Sequence, residues 1–471
     1  MWFRQDLRLQ DNPALADAVA HGEVLPVFIL DDENAGSWRR GAASRWWLHH
    51  SLSALDRALD GKLWILRGNA LELLPQLASE QKASLVTWNR CYEPWRIKRD
   101  TALKESLKRS NIQARSHNGS LLFEPGRVVK PDGSPYKVFT PFYKQALTLL
   151  PSLHATLAKP ELVGCAQPAD KLAALRLLPT LDWAGGMETT WTPGEAGAHA
   201  QLERFLEQGL GQYKTGRDFP AQRSVSRLSP HLHFGEIAPQ RVLSNVERAA
   251  HTDGAEREAE HFLRELIWRE FSYSLLLHFP RVVDTNLRSM FDAFPWRTDG
   301  EQLRLWQQGK TGFPIVDAGM RELWQTGYMH NRVRMIVASF LVKNLMMHWS
   351  EGARWFWDCL VDADLANNSC GWQWVAGSGA DAAPYFRIFN PVTQSEKFDP
   401  TATYIKQYVP ELAALPARYC HAPAAAPTAE LTRAGVKLGD TYPMPMVDLQ
   451  ATRARALDAF KSLPKQDQSI R

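Results

Sequence analysis

The stretch DADLANNSCGWQWV, residues 362–375, sets two carboxylates, two asparagines and two indoles within fourteen positions. Carboxylates and amides hold polar ligands and protons, and indoles are easily oxidised, so this stretch suits ligand binding coupled to electron transfer. Read as a helix, Asp364, Asn368 and Trp372 fall at i, i+4 and i+8 and share one face. Trp374 lies roughly 200° further round at about 100° per residue and faces away. Two other segments repeat the mixture. In HFLRELIWREF (261–271), Phe262, Glu265, Trp268 and Arg269 form one stripe; in TGYMHNRVRM (326–335), Tyr328, Asn331, Arg332 and Met335 form another, with Arg334 beside Asn331. A carboxylate among aromatic rings is costly to bury unless it is paired or meets a ligand. Three such stripes point to one shared, ligand-filled cavity; the competing reading is a polar network that only fixes core packing.

The elements that must position these residues differ along the chain. Up to about residue 117, short apolar runs, EVLPVFIL (23–30), KLWILRG (62–68) and ASLVTW (83–88), alternate with helical stretches at 38–59 and 94–110. Strand–helix alternation predicts a doubly wound α/β domain on a parallel five-stranded sheet. MWFR leaves its first strand only about four residues. Residues 118–195 dissolve into prolines and glycines and read as an interdomain connection. From 196 to 471 helical periodicity takes over, giving an all-α second domain, with a loosely packed tail from 420 around HAPAAAPTAE.

Composition narrows the function. The 471 residues are too many for one ordinary core, and no apolar run is long enough to span a bilayer. Arg4, Asp6 and Arg8 interrupt any secretory leader. Cys91, Cys165, Cys359, Cys370 and Cys420 are scattered, without a C-x-x-C pair, which fits a reducing cytoplasm and argues against a disulfide scaffold or a metal centre. Net charge is only +4, so a basic surface for nucleic acid has to be local. Most of the 18 tryptophans read as core and interface anchors; Trp355 and Trp357 of WFWD read so too, with an electron-transfer side branch as the competing role. RWWLHH (45–50) fits either a buried helix face or the lining of an interdomain cleft.

Five segments carry a resemblance: WFRQDLRLQDNPAL (2–15), GRDFPAQRSVSRLS (216–229), ELIWREF (265–271), GKTGFPIVDAGMRELWQTGYMHNRVRMIVASFLVK (309–343), and DADLANNSCGWQW with YFRIFNP (362–391). Together they resemble the photolyase/cryptochrome family from Trp2 to about Pro410, and look most like a microbial cyclobutane pyrimidine dimer photolyase of the branch near plant cryptochromes. The resemblance implies an α/β amino-terminal domain and a helical domain holding FAD, reduced in the active state. The family's flavin contacts carry over to Tyr213, Ser226, Arg227, Leu228, Ser229, Phe262, Glu265, Arg269, Tyr328, Asn331, Arg334, Asp362, Asp364 and Asn368. Val225 replaces a common threonine, and Phe262 and Tyr328 replace common tryptophans. The serines would offer hydroxyls and N–H groups to the pyrophosphate, Arg334 would pair with Asp362, and Asn368 would sit at flavin N5.

The same resemblance implies a dimer flipped out of ultraviolet-damaged DNA. Trp268 and Trp374 would stack on its bases, Met335 would pack beside them, and Glu265 would hydrogen-bond a thymine edge. Arg217, Arg332 and Arg387 would meet flanking phosphates, with structural ion pairing as the competing role. Trp372, Trp349 and Trp296 match the family's indole chain from flavin to surface. The implied activity is light-driven dimer repair by electron transfer from excited reduced FAD; the alternative is a blue-light signalling cryptochrome. An antenna is expected, methenyltetrahydrofolate ahead of deazaflavin. The further expectations are no metal, no membrane, a monomer, and a cytoplasmic location (nucleoid-associated in a prokaryote).

Overall fold

The computed structural model describes residues 1–150, 172–382 and 386–464; Cys165 and the 151–171 part of the expected connection lie outside the described residues. The chain forms two compact units, the first of Met1–Tyr213, Ser226–Pro280 and Val361–Ala366, the second of Lys214–Val225, Arg281–Leu360 and Asn367–Arg471.

In the first unit, strands β1 (Trp2–Phe3), β2 (Val27–Leu30), β3 (Trp64–Arg67), β4 (Leu85–Asn89) and β5 (Gln113–His117) alternate with helices α1 (Pro13–His21), α2 (Ala42–Ala58), α3 (Ala70–Glu80) and α4 (Pro94–Arg109). Every strand pair is parallel, as the apolar runs predict, but in place of the expected five-stranded sheet hydrogen bonds join β1-β2-β3 and, separately, β4-β5. Only two residues of β1 are extended and both pair with β2, so β1 meets β4 through an edge-on contact of Trp2 with Trp88, ring centres 6.0 Å apart. Asn12 caps α1 by accepting from Leu15 N–H, and Pro13 starts it without a donor to lose. Trp47 of α2 is fully buried and donates through Nε1 to Glu236 at 2.9 Å. RWWLHH is thus a buried helix face at Trp46 and Trp47.

Three more helices complete the part that matters for the site: α5 (Phe139–Leu147), α6 (Ser229–His233) and the long α7 (Glu256–His278). Glu270 of α7 is buried, accepts from the backbone N–H of Phe123 at 3.2 Å and lies 3.3 Å from Arg269.

The second unit carries α8 (Asn331–Ser339), a π-helical turn (Phe340–Asn344), α9 (Trp349–Cys359), α10 (Leu365–Ala376, whose first two residues belong to the first unit) and α11 (Leu449–Lys461). Within the described residues, the tail from 420 to 464 is not loose. Tyr442 is buried and donates to the buried carboxylate of Asp317 at 2.7 Å, and Thr452 of α11 accepts from Asn344 at 2.9 Å. Alanine and proline hid these anchors, because packing there depends on single polar residues rather than on an apolar stripe.

Burial raises the Glu270 carboxyl from 4.5 to about 7, with Arg269 and the Phe123 and Leu122 N–H groups pulling the other way. The folded state therefore keeps this proton where the unfolded chain has lost it. The stability involved is fully present below about 4.5 and lost as pH rises through about 7. Glu270→Gln removes the titration, so the variant should gain on the wild type by up to about 3 kcal/mol between roughly pH 5 and pH 8. Thermal melts of both proteins across that range check this; a pH-independent difference would contradict it.

Candidate functional site

In the first unit the serine-rich stretch does lead into a helix. Gln201 Nε2 holds Ser226 O at 2.7 Å, Ser226 Oγ accepts from Leu228 N–H, and α6 begins at Ser229. Arg227 adopts left-handed backbone, φ 52°, with its guanidinium 4.6 Å from the Trp191 ring centre. Ser229 Oγ donates to Asp362 at 2.6 Å, which joins two of the expected flavin contacts. A third pair is aromatic: Phe262 meets Tyr213 edge-on at 5.3 Å and Phe205 at 4.9 Å.

Asp364 lies just ahead of α10, which starts one residue later, at Leu365, so it is not itself a helical residue. Instead its buried carboxylate accepts from Tyr273 OH and lies 3.5 Å from His233 Nδ1. Burial pushes this carboxyl up, but the His233 bond and charge, Arg269 and the Tyr273 hydroxyl outweigh it and hold the group well below the carboxylate range. Arg269 also donates to Ser120 O at 2.9 Å. His233 and Tyr273 were missed in the sequence; each stands in an ordinary helix pattern, and only the fold brings them to Asp364.

Trp268 is half-buried, and Phe139 of α5 stacks on it with ring centres 3.7 Å apart and planes within 6°. One indole face is thus occupied by a residue from the segment read as a connection. Glu265 is half-buried on the same helix.

The second unit holds the other candidates. Tyr328 is buried ahead of α8, with the Arg334 guanidinium 5.2 Å from its ring centre and Arg334 Nε donating to Met329 O at 2.7 Å. Asn331 is exposed at the start of α8. Arg332 pairs with Asp218 at 2.6 Å, lies over Phe398 at 4.3 Å, and reaches to 4.0 Å from the Met335 sulfur. The ion-pairing role weighed for Arg332 is therefore real. Arg217 is half-buried, and Arg387 is exposed above Phe389 at 4.7 Å. His330, another residue missed, caps α8 by accepting from Arg332 N–H; burial and the nearby Arg332 and Arg334 lower it to about 3, so it is neutral at physiological pH.

Asn368 Nδ2 donates to Ala353 O of α9 at 2.9 Å, which turns the carboxamide oxygen away from α9. One turn on, Trp372 is 3% exposed and packs edge-on against Phe356 at 4.9 Å and Trp306 at 6.2 Å. Trp349 is 1% exposed and its Nε1 donates to Asn286 at 2.9 Å. His348 bridges it to Trp296, with ring centres 5.3 Å from Trp349 and 5.1 Å from Trp296, which is half-exposed. Exposure therefore rises from Trp372 and Trp349 to Trp296, the gradient a path to the surface needs. Trp374 points elsewhere, donating to Asp381 O at 3.1 Å. Trp355 and Trp357 are not core: both are half-exposed, and Trp355 stacks on Trp324, itself 57% exposed.

Residues 1–161 match the family described as DNA photolyase, and residues 262–462 the FAD binding domain of DNA photolyase. The chain is 48% identical, over 99% of its length and 98% of the relative's, to the deoxyribodipyrimidine photo-lyase of Agrobacterium fabrum. It belongs to the DNA photolyase and cryptochrome family. Cryptochrome-2 of Arabidopsis thaliana is 37% identical over 96% of this chain, which spans 77% of that protein. The structure of a bacterial class III photolyase from Agrobacterium tumefaciens superimposes with a TM-score of 0.93 at 47% identity, covering 98% of this chain and 96% of that one. Phe262 through Arg387 fall inside the matched FAD binding domain, whereas Ser226–Ser229 lie outside both matched stretches.

Gly352 of α9 is where the Trp372 ring sits: a methyl group there would land on the indole. Gly352→Ala should therefore cost about 1–3 kcal/mol by overpacking and shift tryptophan emission. Denaturant unfolding followed by fluorescence tests this, and an unchanged midpoint would mean that the ring has room to move.

Proposed function

We propose that this protein repairs cyclobutane pyrimidine dimers in ultraviolet-damaged DNA with light absorbed by reduced FAD. The full-length 48% identity to a protein named deoxyribodipyrimidine photo-lyase carries the reading. The residue chemistry supports FAD in particular: serine hydroxyls at the start of α6, the Asp362–Ser229 pair, an arginine over Tyr328 and a carboxamide on α10 suit phosphates, hydroxyls and a flat heteroaromatic ring. Bound there, FAD would supply reversible photoexcited electron donation, the chemistry that opening a cyclobutane ring without net redox change requires.

The chain's own groups bind and orient. Ser226, Arg227, Leu228 and Ser229 serve the pyrophosphate; Tyr213, Phe262, Arg269, Tyr328, Asn331, Arg334, Asp362 and Asp364 hold the remainder. Asn368, with its nitrogen committed to Ala353, presents an oxygen that can accept a proton-bearing ring nitrogen, and as a neutral group it does not repel a reduced, anionic ring. Trp268 offers the lesion the face opposite Phe139, and Trp374 and Met335 add stacking and soft apolar contact. Glu265 bonds a thymine edge. Arg217, Arg332 and Arg387 take phosphates, which for Arg332 means exchanging Asp218 for DNA, so binding should weaken steeply with salt. Trp296, Trp349 and Trp372 carry electrons inward from the surface. A folate antenna is favoured over a deazaflavin.

The likeness to Cryptochrome-2 keeps a signalling role as the second reading. Asparagine rather than aspartate at 368, with Glu265, Trp268, Met335 and Trp374 all present, favours repair.

Trp268→Ala should weaken binding to dimer-containing oligonucleotide roughly 5- to 150-fold, the range for one stacked base, while leaving undamaged DNA unaffected. Filter binding or anisotropy measures this, and equal affinities would displace Trp268 from the lesion pocket. Trp372→Phe should abolish light-driven reduction of the oxidised protein, read from its absorption spectrum, yet leave repair by chemically reduced protein intact. If both proteins fail to restore damaged oligonucleotide under light, the repair reading itself is wrong.

A further inference from the structure

Beside Trp374 the second unit contains a cleft of about 70 Å³, open to solvent, lined by Arg288, Phe291, Lys343, Phe386, Arg387 and Trp374 among others. Its floor is a glycine. Gly377 has φ 93°, and a side chain there would press on the Phe291 and Phe386 rings at 3.2 and 3.5 Å. Lys343 rises from the π-helical turn, only 1% exposed, donates to Ala376 O at 2.8 Å, and sits 3.0 Å from the Phe386 ring centre. Insertions of this kind cluster at functional positions. Phe460 of α11 covers the other face of Phe386, centres 4.6 Å apart and planes within 7°. Arg288 is half-buried and donates to Gly377 O at 3.1 Å, while Arg387 stands exposed at the rim.

Charge and shape together define what fits. Three cationic side chains and several aromatic rings line the cleft, and no acidic residue is among the described residues that do. Burial drives Lys343 well below an ordinary lysine; of the two arginines, Arg288 is half-buried and Arg387 exposed. The cleft's volume of about 70 Å³ is half the ~150 Å³ that seats a whole benzene ring. A planar group can enter only edge-first, with its remainder outside against the arginines. A small apolar metabolite would gain nothing from the guanidinium groups, whereas a nucleotide matches both parts.

The geometry points to this cleft as a seat for a DNA nucleotide next to the dimer, its base edge inside and its phosphate on Arg288 and Arg387. The inference rests on the repair reading, since it places the neighbouring nucleotide on the far side of Trp374 from the lesion. Trp374 then acts as a wedge, with the dimer on one side and the continuing strand on the other. Part of the affinity for damaged DNA comes from a base that is itself undamaged.

The test uses the full chain and oligonucleotides with one thymine dimer, carrying an abasic analogue immediately 5′ or immediately 3′ of it. For the wild type, one of the two should bind about 5- to 20-fold more weakly than the intact duplex, and the other should not change. Arg288→Gln should bind the intact duplex more weakly and lose the abasic penalty. A second variant, Val375→Tyr, narrows the cleft from α10 and should do the same, which guards against Arg288→Gln failing to fold. Equal wild-type affinity for both abasic duplexes and the intact one overturns this inference alone. Failure to distinguish dimer-containing from undamaged DNA overturns the repair reading and this inference with it.

Discussion

Everything about the placement of residues 361–366 depends on one buried carboxylate. Asp364 cannot leave its charge unmatched in an apolar interior, and Tyr273 and His233 are the groups that meet it. Stripping one partner from such an arrangement typically costs about 3–5 kcal/mol, and this adds to the packing of the buried Val361, Ala363, Leu365 and Ala366. Together these tie Val361–Ala366 to the first unit, although the chain on both sides, ending at Leu360 and resuming at Asn367, belongs to the second. Asp362, two residues earlier, is then in place for Ser229.

The α/β half was largely legible in the sequence because mostly buried parallel strands announce themselves as apolar runs: β2 and β3 fall inside the runs that suggested them, and β4 overruns its own only by Asn89. β5 has the sequence QARSH and is half-exposed, so no apolar signal marks it; it exists because β4 offers a ladder. The helical half was legible as helix, and the mixed stripes lie on α7 and on or just ahead of α8. What they could not give was direction. Tyr328 and Asp364 were read as helical residues and lie just ahead of their helices. Arg332 was weighed as a phosphate contact and has an aspartate 2.6 Å away. Partners distant in sequence, Phe139 for Trp268 and Tyr273 for Asp364, leave no periodic trace.

The aromatic richness divides by environment. Trp2, Trp46, Trp47 and Trp88 are buried in the first unit and act as filling. Trp372 and Trp349 are as deeply buried, yet each is set by a specific device: the absent side chain of Gly352 for one, a hydrogen bond to Asn286 for the other. A core needs volume; it does not need a graded series ending in the half-exposed Trp296, joined by the His348 ring. The same α10 helix that carries Trp372 inward turns Trp374 toward a different surface, so twelve residues serve two purposes on opposite sides.

The left-handed backbone at Arg227 has an evolutionary corollary. A residue branched at Cβ is strongly disfavoured in that conformation, while glycine or asparagine adopts it at little cost. Val225, two positions earlier, is under no such restriction. Drift within this short serine-containing loop is therefore lopsided: bulk and branching are tolerated at 225, whereas 227 admits a narrow alphabet, whatever its side chain contributes to ligand affinity.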